Sequence, residues 1–217
     1  MFTTRFQAWV RRNAQRLAGA VARLPITPNQ VTVTGMLIVF ASSILVGSGH
    51  LVAGAAVLAF GGCFDILDGA LARVQSRSYP YGAFLDSVTD RYAEGAIYLG
   101  IAAYFLGNGG SHQRLYLLGA ILALIGSFQV SYIRARAQSL AFRSETGLFK
   151  RPERIVATIV GLLVLGGALL PWVIWLLAVL TNFTALQRIH EVWAQARDHR
   201  RTRNQTNRSP ASGERVP

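Results

Sequence analysis

The sequence predicts an all-α integral membrane protein: six transmembrane helices preceded by an amphipathic helix lying in the membrane interface. Three observations carry that prediction. The 217-residue chain is 52% hydrophobic and only 15% charged. Its apolar residues come in long blocks, most of them close to the ~20 residues a helix needs to cross the hydrocarbon core. Its basic residues fall in alternate connections between those blocks.

The blocks are Val31–Ser48, Leu51–Val74, Ala83–Leu106, Leu115–Ala137, Ile155–Leu170 and Trp172–Trp193. The fifth is short, and Pro171 suits a tight turn before the sixth. Ahead of them, Phe6, Trp9, Val10, Leu17, Val21 and Leu24 fall along one helical stripe, with arginines on the other faces. That is the pattern of a helix at the head-group surface, and it is compatible with packing on the bundle. Pro25 and Pro28 then break the helix, and Thr27 or Asn29 is placed to cap the first span. The last residues are Arg-rich and almost free of apolar side chains, so they are expected to be disordered. The expected division is residues 1–24 as juxtamembrane helix, 25–195 as the six-helix domain and 196–217 as a basic tail. Cys63 is the one cysteine, which excludes an intrachain disulfide and suggests a small packed side chain.

The formal charge of +12 comes from 21 arginines and Lys150. Its placement argues against nucleic acid. Arginines precede span one, join spans two and three, join four and five, and follow six; the opposite loops hold a single arginine. Positive residues concentrate on the cytoplasmic side, so both termini are expected there, in the cell membrane.

Within this apolar chain, Asp65, Asp68, Asp86 and Asp90 are four of only ten acidic residues. Spacings of three and four place each pair on one helix face. The two spans are consecutive and antiparallel, so four carboxylates are expected to converge at their cytoplasmic ends. Carboxylates at membrane depth tend to serve function. An all-oxygen donor set suits Mg2+ or Mn2+, and four carboxylates suit two ions, a geometry fitted to phosphoryl chemistry. Gly69, Ala72 and Gly82 are small where a ligand approaches, and Arg73 is placed to contact a phosphate or to balance the acids. A metal or proton-coupled transporter also uses membrane aspartates, but its ligands belong near the bilayer midplane.

Together these residues spell D-x2-D-G-x2-A-R-x8-G-x3-D-x3-D, from Asp65 through Asp68, Gly69, Ala72, Arg73, Gly82 and Asp86 to Asp90. The stretch resembles the signature of the CDP-alcohol phosphotransferases, and the likeness extends over about residues 5–195, including Thr27-Pro28-Asn29 before span one. The resemblance implies transfer of a substituted phosphate from a CDP-linked lipid, such as CDP-diacylglycerol, to an alcohol, with release of CMP. It implies that Asp65, Asp68 and Asp86 hold the metals. Asp90 is implied as general base and as a further metal contact. Asp65, Asp68, Gly69, Ala72, Arg73, Gly82 and Asp86 are implied to line the CDP-lipid site, and the family implies a homodimer.

The acceptor is read from other arginines. Arg134 ends span four, Arg151 and Arg154 open span five, and Arg188 lies within span six. A basic cluster beside the aspartates suits an acceptor that already carries a phosphate. The wording around these residues resembles the inositol-phosphate-using branch of the family, which implies that Arg134, Arg151, Arg154 and Arg188 bind inositol phosphate. A glycerol-phosphate-using enzyme is the alternative, and an ether-lipid donor is compatible with the same motif.

Overall fold

The computed structural model describes residues 12, 15, 16, 18, 19, 21, 22, 25–75, 80–144, 146, 147 and 151–206. Six long helices account for most of them. They are α1 (Pro28–Gly47), α2 (Leu51–Val74), α3 (Pro80–Asn108), α4 (Gln113–Ser139), α5 (Arg151–Leu163) and α6 (Leu170–Thr206). Each expected span overlaps one of them, but the fifth, expected over Ile155–Leu170, is α-helical only to Leu163 before the chain turns into α6.

Local chemistry fixes several boundaries. Thr27 caps α1 through a capping box: its hydroxyl accepts from Gln30 N–H at 3.3 Å, and Gln30 Oε1 accepts from Thr27 N–H at 2.8 Å. Pro28 opens the helix where an N–H would have no partner. Between α5 and α6 the chain tightens into a short 3-10 segment, Val164–Gly167, so the turn precedes Pro171, which instead sits in the first turn of α6. α6 continues to Thr206, past the expected boundary at 195. No proline or glycine interrupts that stretch, and Gln195 is tied to the α4–α5 connection: its Nε2 donates to Arg143 O at 2.6 Å and its Oε1 accepts from Arg143 N–H at 3.0 Å. The rest of the expected disordered tail, 207–217, lies outside the described residues.

Among the described residues, four helical segments are long and apolar enough to cross a membrane: Pro28–Gly47, Leu51–Val74, Gly110–Ser139 and Leu170–Arg201. α3 carries Asp86, Asp90, Arg91 and Glu94 in its first half, and α5 has 13 residues. Outward faces are apolar, with Ile44, Leu99 and Trp172 largely exposed. In water such faces would be unstable; in lipid they are the solvated surface. The chain is a multi-pass membrane protein. Cys63 is exposed on this surface rather than packed, because an outward apolar side chain costs nothing in hydrocarbon.

The helices form a ring in the order α2, α1, α3, α4, α6, α5, closed by packing of α5 against α2. Its core holds Val39, Leu58, Ile97, Ile101, Phe105, Leu162, Ile174 and Leu177. Small residues let helices approach closely, as membrane packing requires. A Cβ on Gly126 of α4 would collide with Thr181 Oγ1 of α6, and one on Gly100 of α3 with the Ser43 carbonyl of α1. The order has one consequence for the site. α2 and α3 each pack chiefly against α1, which stands between them. Of the stripe expected for the N-terminal helix, only Val21 falls within the described residues. Val21, Ala18 and Ala22 pack near Val31 of α1 and Ala70 and Leu71 of α2.

Candidate active site

The N-terminal end of α1 holds α2 and α3 apart and leaves a cavity of about 260 Å³ among the three helices. Asp65, Asp68, Gly69 and Ala72 line it from α2, Gly82 and Asp86 from α3, and Pro28, Asn29 and Thr32 from α1. Seven of the eight motif positions were expected at a CDP-lipid site, and six of those seven share this wall. Arg73, the seventh, is exposed, with Nη1 3.7 Å from where a Gly69 Cβ would stand. Neither Gly69 nor Gly82 is demanded by packing. A Cβ on Gly82 would meet only Asn29 Oδ1, at 3.5 Å, so both glycines keep the cavity open rather than relieve a clash.

Asp65, Asp68 and Asp86 share this cavity, and Asp90 meets Asp65 at one Arg151 guanidinium, but the carboxylates are not drawn into a tight cage. Among the described residues no group of three or more acidic, Cys or His side chains stands close enough to hold an ion as arranged. Two causes are visible. α1 stands between the two aspartate helices, and other partners engage Asp65, Asp68 and Asp90. Thr32 Oγ1 donates to Asp68 Oδ2 at 2.7 Å, and Gly69 N–H donates to Asp68 Oδ1 at 2.5 Å. The Arg151 guanidinium reaches from α5 to both Asp65 and Asp90, lying 2.7 Å from Asp90 Oδ1. Arg91 Nη1 is 3.5 Å from Asp90 Oδ2 and donates to Ser87 O at 2.7 Å. Carboxylates in an apolar setting require a compensating charge, and here an arginine supplies it.

The donor chemistry still fits a hard divalent cation. Asp65, Asp68 and Asp86 face one cavity, every candidate ligand is an oxygen, and the glycines leave room beside them.

A second cavity, of about 330 Å³, lies on the other side of Asp90. Arg134, Arg151, Arg154 and Arg188, the four arginines expected from the sequence, all line it, together with Asp90 and Arg91. Arg188 is buried in α6, where its Nε donates to Thr146 O at 2.8 Å and its Nη1 to Val130 O at 2.6 Å. Carbonyls of α4 and of the α4–α5 connection therefore fix its fork. Arg134 is exposed at the cavity rim. Arg151 links the two cavities: it lines the basic one beside Asp90, and its guanidinium bonds both Asp90 and, on the acidic cavity, Asp65.

Two features escaped the sequence reading. Asn29 and Thr32 line the acidic cavity from α1; only the proximity of Thr27-Pro28-Asn29 to a helix start hinted at them. Glu94, four residues after Asp90, is buried against Arg154, and the repeat of the aspartate spacing was its one signal.

Residues 25–184 match the family model for CDP-alcohol phosphatidyltransferases. The chain belongs to that family, as the aspartate motif led us to expect, and the protein is a transferase. It is 40% identical to the archaetidylinositol phosphate synthase of Methanothermobacter thermautotrophicus over 87% of this chain and 92% of that one. It is also similar to solved structures of Mycobacterium tuberculosis phosphatidylinositol phosphate synthase. One, with CDP-DAG bound, has a TM-score of 0.76 at 30% identity and covers 95% of this chain and 99% of the other. Another, in complex with manganese and citrate, has a TM-score of 0.77 at 31% identity and covers 94% of this chain and 93% of the other.

Proposed function

We propose that this protein transfers the phosphatidyl group of CDP-diacylglycerol to an inositol phosphate, forming phosphatidylinositol phosphate and releasing CMP. One observation carries the reading: Arg151, which lines the arginine-lined cavity beside Asp90, also bonds Asp65 of the carboxylate-lined cavity and so links the two. The relatives support it, since both the archaeal and the mycobacterial proteins are named for inositol phosphate products. They differ in lipid, so the same acceptor is assigned with either a diacyl or an archaeal ether donor.

In this reading the acidic cavity takes the CDP end of the donor. Gly69, Ala72 and Gly82 leave space for it, and Arg73 stands at the edge. Asp65, Asp68, Asp86 and Asp90 would hold one or two divalent ions, magnesium or manganese; the mycobacterial complex with manganese supports this. Bound there, a divalent ion neutralises pyrophosphate charge and polarises the phosphorus under attack. The basic cavity takes the acceptor's phosphate on Arg134, Arg151, Arg154 and Arg188. Asp90 lines that cavity beside Arg151, where it can accept the acceptor hydroxyl's proton. The hydroxyl oxygen bonds to the lipid-side phosphorus, the bond from that phosphorus to the CMP oxygen breaks, and CMP leaves.

We place this site at the cytoplasmic face of the cell membrane, with six spans, an N-terminal interfacial helix and a homodimer. Arginines in the connections on one side of the bundle support the orientation.

Purified protein supplied with CDP-diacylglycerol and magnesium tests the proposal. Inositol phosphate, free inositol, glycerol phosphate and serine are offered separately, and CMP is measured. Release with inositol phosphate is expected. Release with glycerol phosphate alone would overturn the acceptor.

A further inference from the structure

Glu94 has no place in the aspartate motif. It lies on α3 four residues after Asp90, and Arg154 lies on α5 three residues after Arg151. Those spacings put both acids on one face of α3 and both arginines on one face of α5. The faces meet in two rungs: Asp90 with Arg151 at 2.7 Å, and Glu94 with Arg154 at 2.8 Å. α3 and α5 are not packing neighbours in the ring, so the side chains themselves span the space between them.

The two rungs differ. The first borders the basic cavity. The second is enclosed, with Arg154 2% and Glu94 9% exposed. Glu94 Oε1 accepts from Arg154 Nε at 2.8 Å and stands 2.8 Å from Nη2. A guanidinium is planar, so two nitrogens held at one oxygen set the direction of the whole fork. Arg154 at the same time lines the basic cavity.

We infer that Glu94 is a positioning residue for the acceptor's phosphate: its carboxylate aims Arg154 into the basic cavity. The inference rests on reading that cavity as the acceptor-phosphate site. Without the carboxylate, Arg154 would be a buried cation drawn to another oxygen or to water, away from the direction the pair imposes. A pair that served stability alone would leave phosphate affinity untouched in a folded variant.

The test uses the full-length protein in detergent as wild type, Glu94→Gln and Glu94→Asp. Inorganic phosphate binding is measured by calorimetric titration, beside steady-state kinetics with inositol phosphate and CDP-diacylglycerol. Glu94→Gln is expected to weaken phosphate binding and raise the KM for inositol phosphate by about tenfold, leaving the KM for the CDP-lipid within about twofold. Glu94→Asp, with the charge on a shorter stem, is expected to fall between. Phosphate affinity that is equal in all three proteins, or tighter in Glu94→Gln, overturns the inference, as does an equal rise in both KM values. If Glu94→Gln fails to fold, Glu94→Asp decides by the same criteria. A wild type that binds phosphate but does not use inositol phosphate overturns the acceptor reading alone, and the phosphate titration still judges Glu94. No phosphate binding by any form overturns both.

Discussion

Arg151 Nη1 lies 2.7 Å from Asp90 Oδ1, and the same guanidinium also bonds Asp65, so one cation joins carboxylates of α2 and α3. A divalent ion held by Asp65 and Asp90 would compete with it. Arg151→Gln should therefore tighten Mn2+ binding, by about tenfold for a unit charge a few ångströms away. It should also raise the acceptor KM, since Arg151 lines the basic cavity. Paramagnetic titration of Mn2+ reads the first effect; an affinity unchanged or weakened would show that guanidinium and ion do not compete.

Asp90→Asn keeps the size of the side chain and removes its capacity to take a proton. Turnover should fall by about 10²–10⁴-fold, the usual contribution of a general base. Binding of CDP-diacylglycerol in the presence of magnesium should persist. The pair of measurements is CMP release and equilibrium binding of the CDP-lipid. Retained turnover would move the base elsewhere.

Gly82→Val adds a branched side chain where the nearest protein atom to a Cβ, Asn29 Oδ1, is at 3.5 Å. The fold should tolerate it. The KM for the CDP-lipid should rise at least about tenfold, because the new side chain fills the cavity. Thermal unfolding and kinetics together separate the two effects. A normal KM in a normally folded variant would remove Gly82 from the donor site.

Gly126→Val should act in the opposite way. Its Cβ would overlap Thr181 Oγ1 across the α4–α6 contact, a cost of about 1–3 kcal/mol for overpacking. A lowered midpoint of thermal unfolding in detergent, with KM values little changed in the folded fraction, is the expected result.

Arg188→Lys tests the fork held by two carbonyls. A lysine carries the charge but cannot donate to Thr146 O and Val130 O while pointing a planar edge at the cavity. The acceptor KM should rise about tenfold and the donor KM should hold, measured by CMP release at varied substrate.

Much of this molecule was legible in the sequence because the signals are local. Apolar runs of Val31–Ser48 or Leu51–Val74 must be helical in lipid, where every backbone group needs an internal partner. The spacing of Asp65 with Asp68, and of Asp86 with Asp90, fixes their faces without reference to anything distant. Thr27 and Gln30 cap α1 by contacts three residues apart. What the sequence by itself determined was the set of helices, the acidic motif and the four arginines. Tertiary structure decided the rest: that α1 stands between the aspartate helices, that Arg151 joins Asp65 to Asp90, and that Glu94 faces Arg154. The reason is physical. A helix face is set by residues one turn apart, whereas the partner of a buried charge is set by the order in which whole helices pack, and that order depends on small-residue contacts such as Gly100 on Ser43 and Gly126 on Thr181.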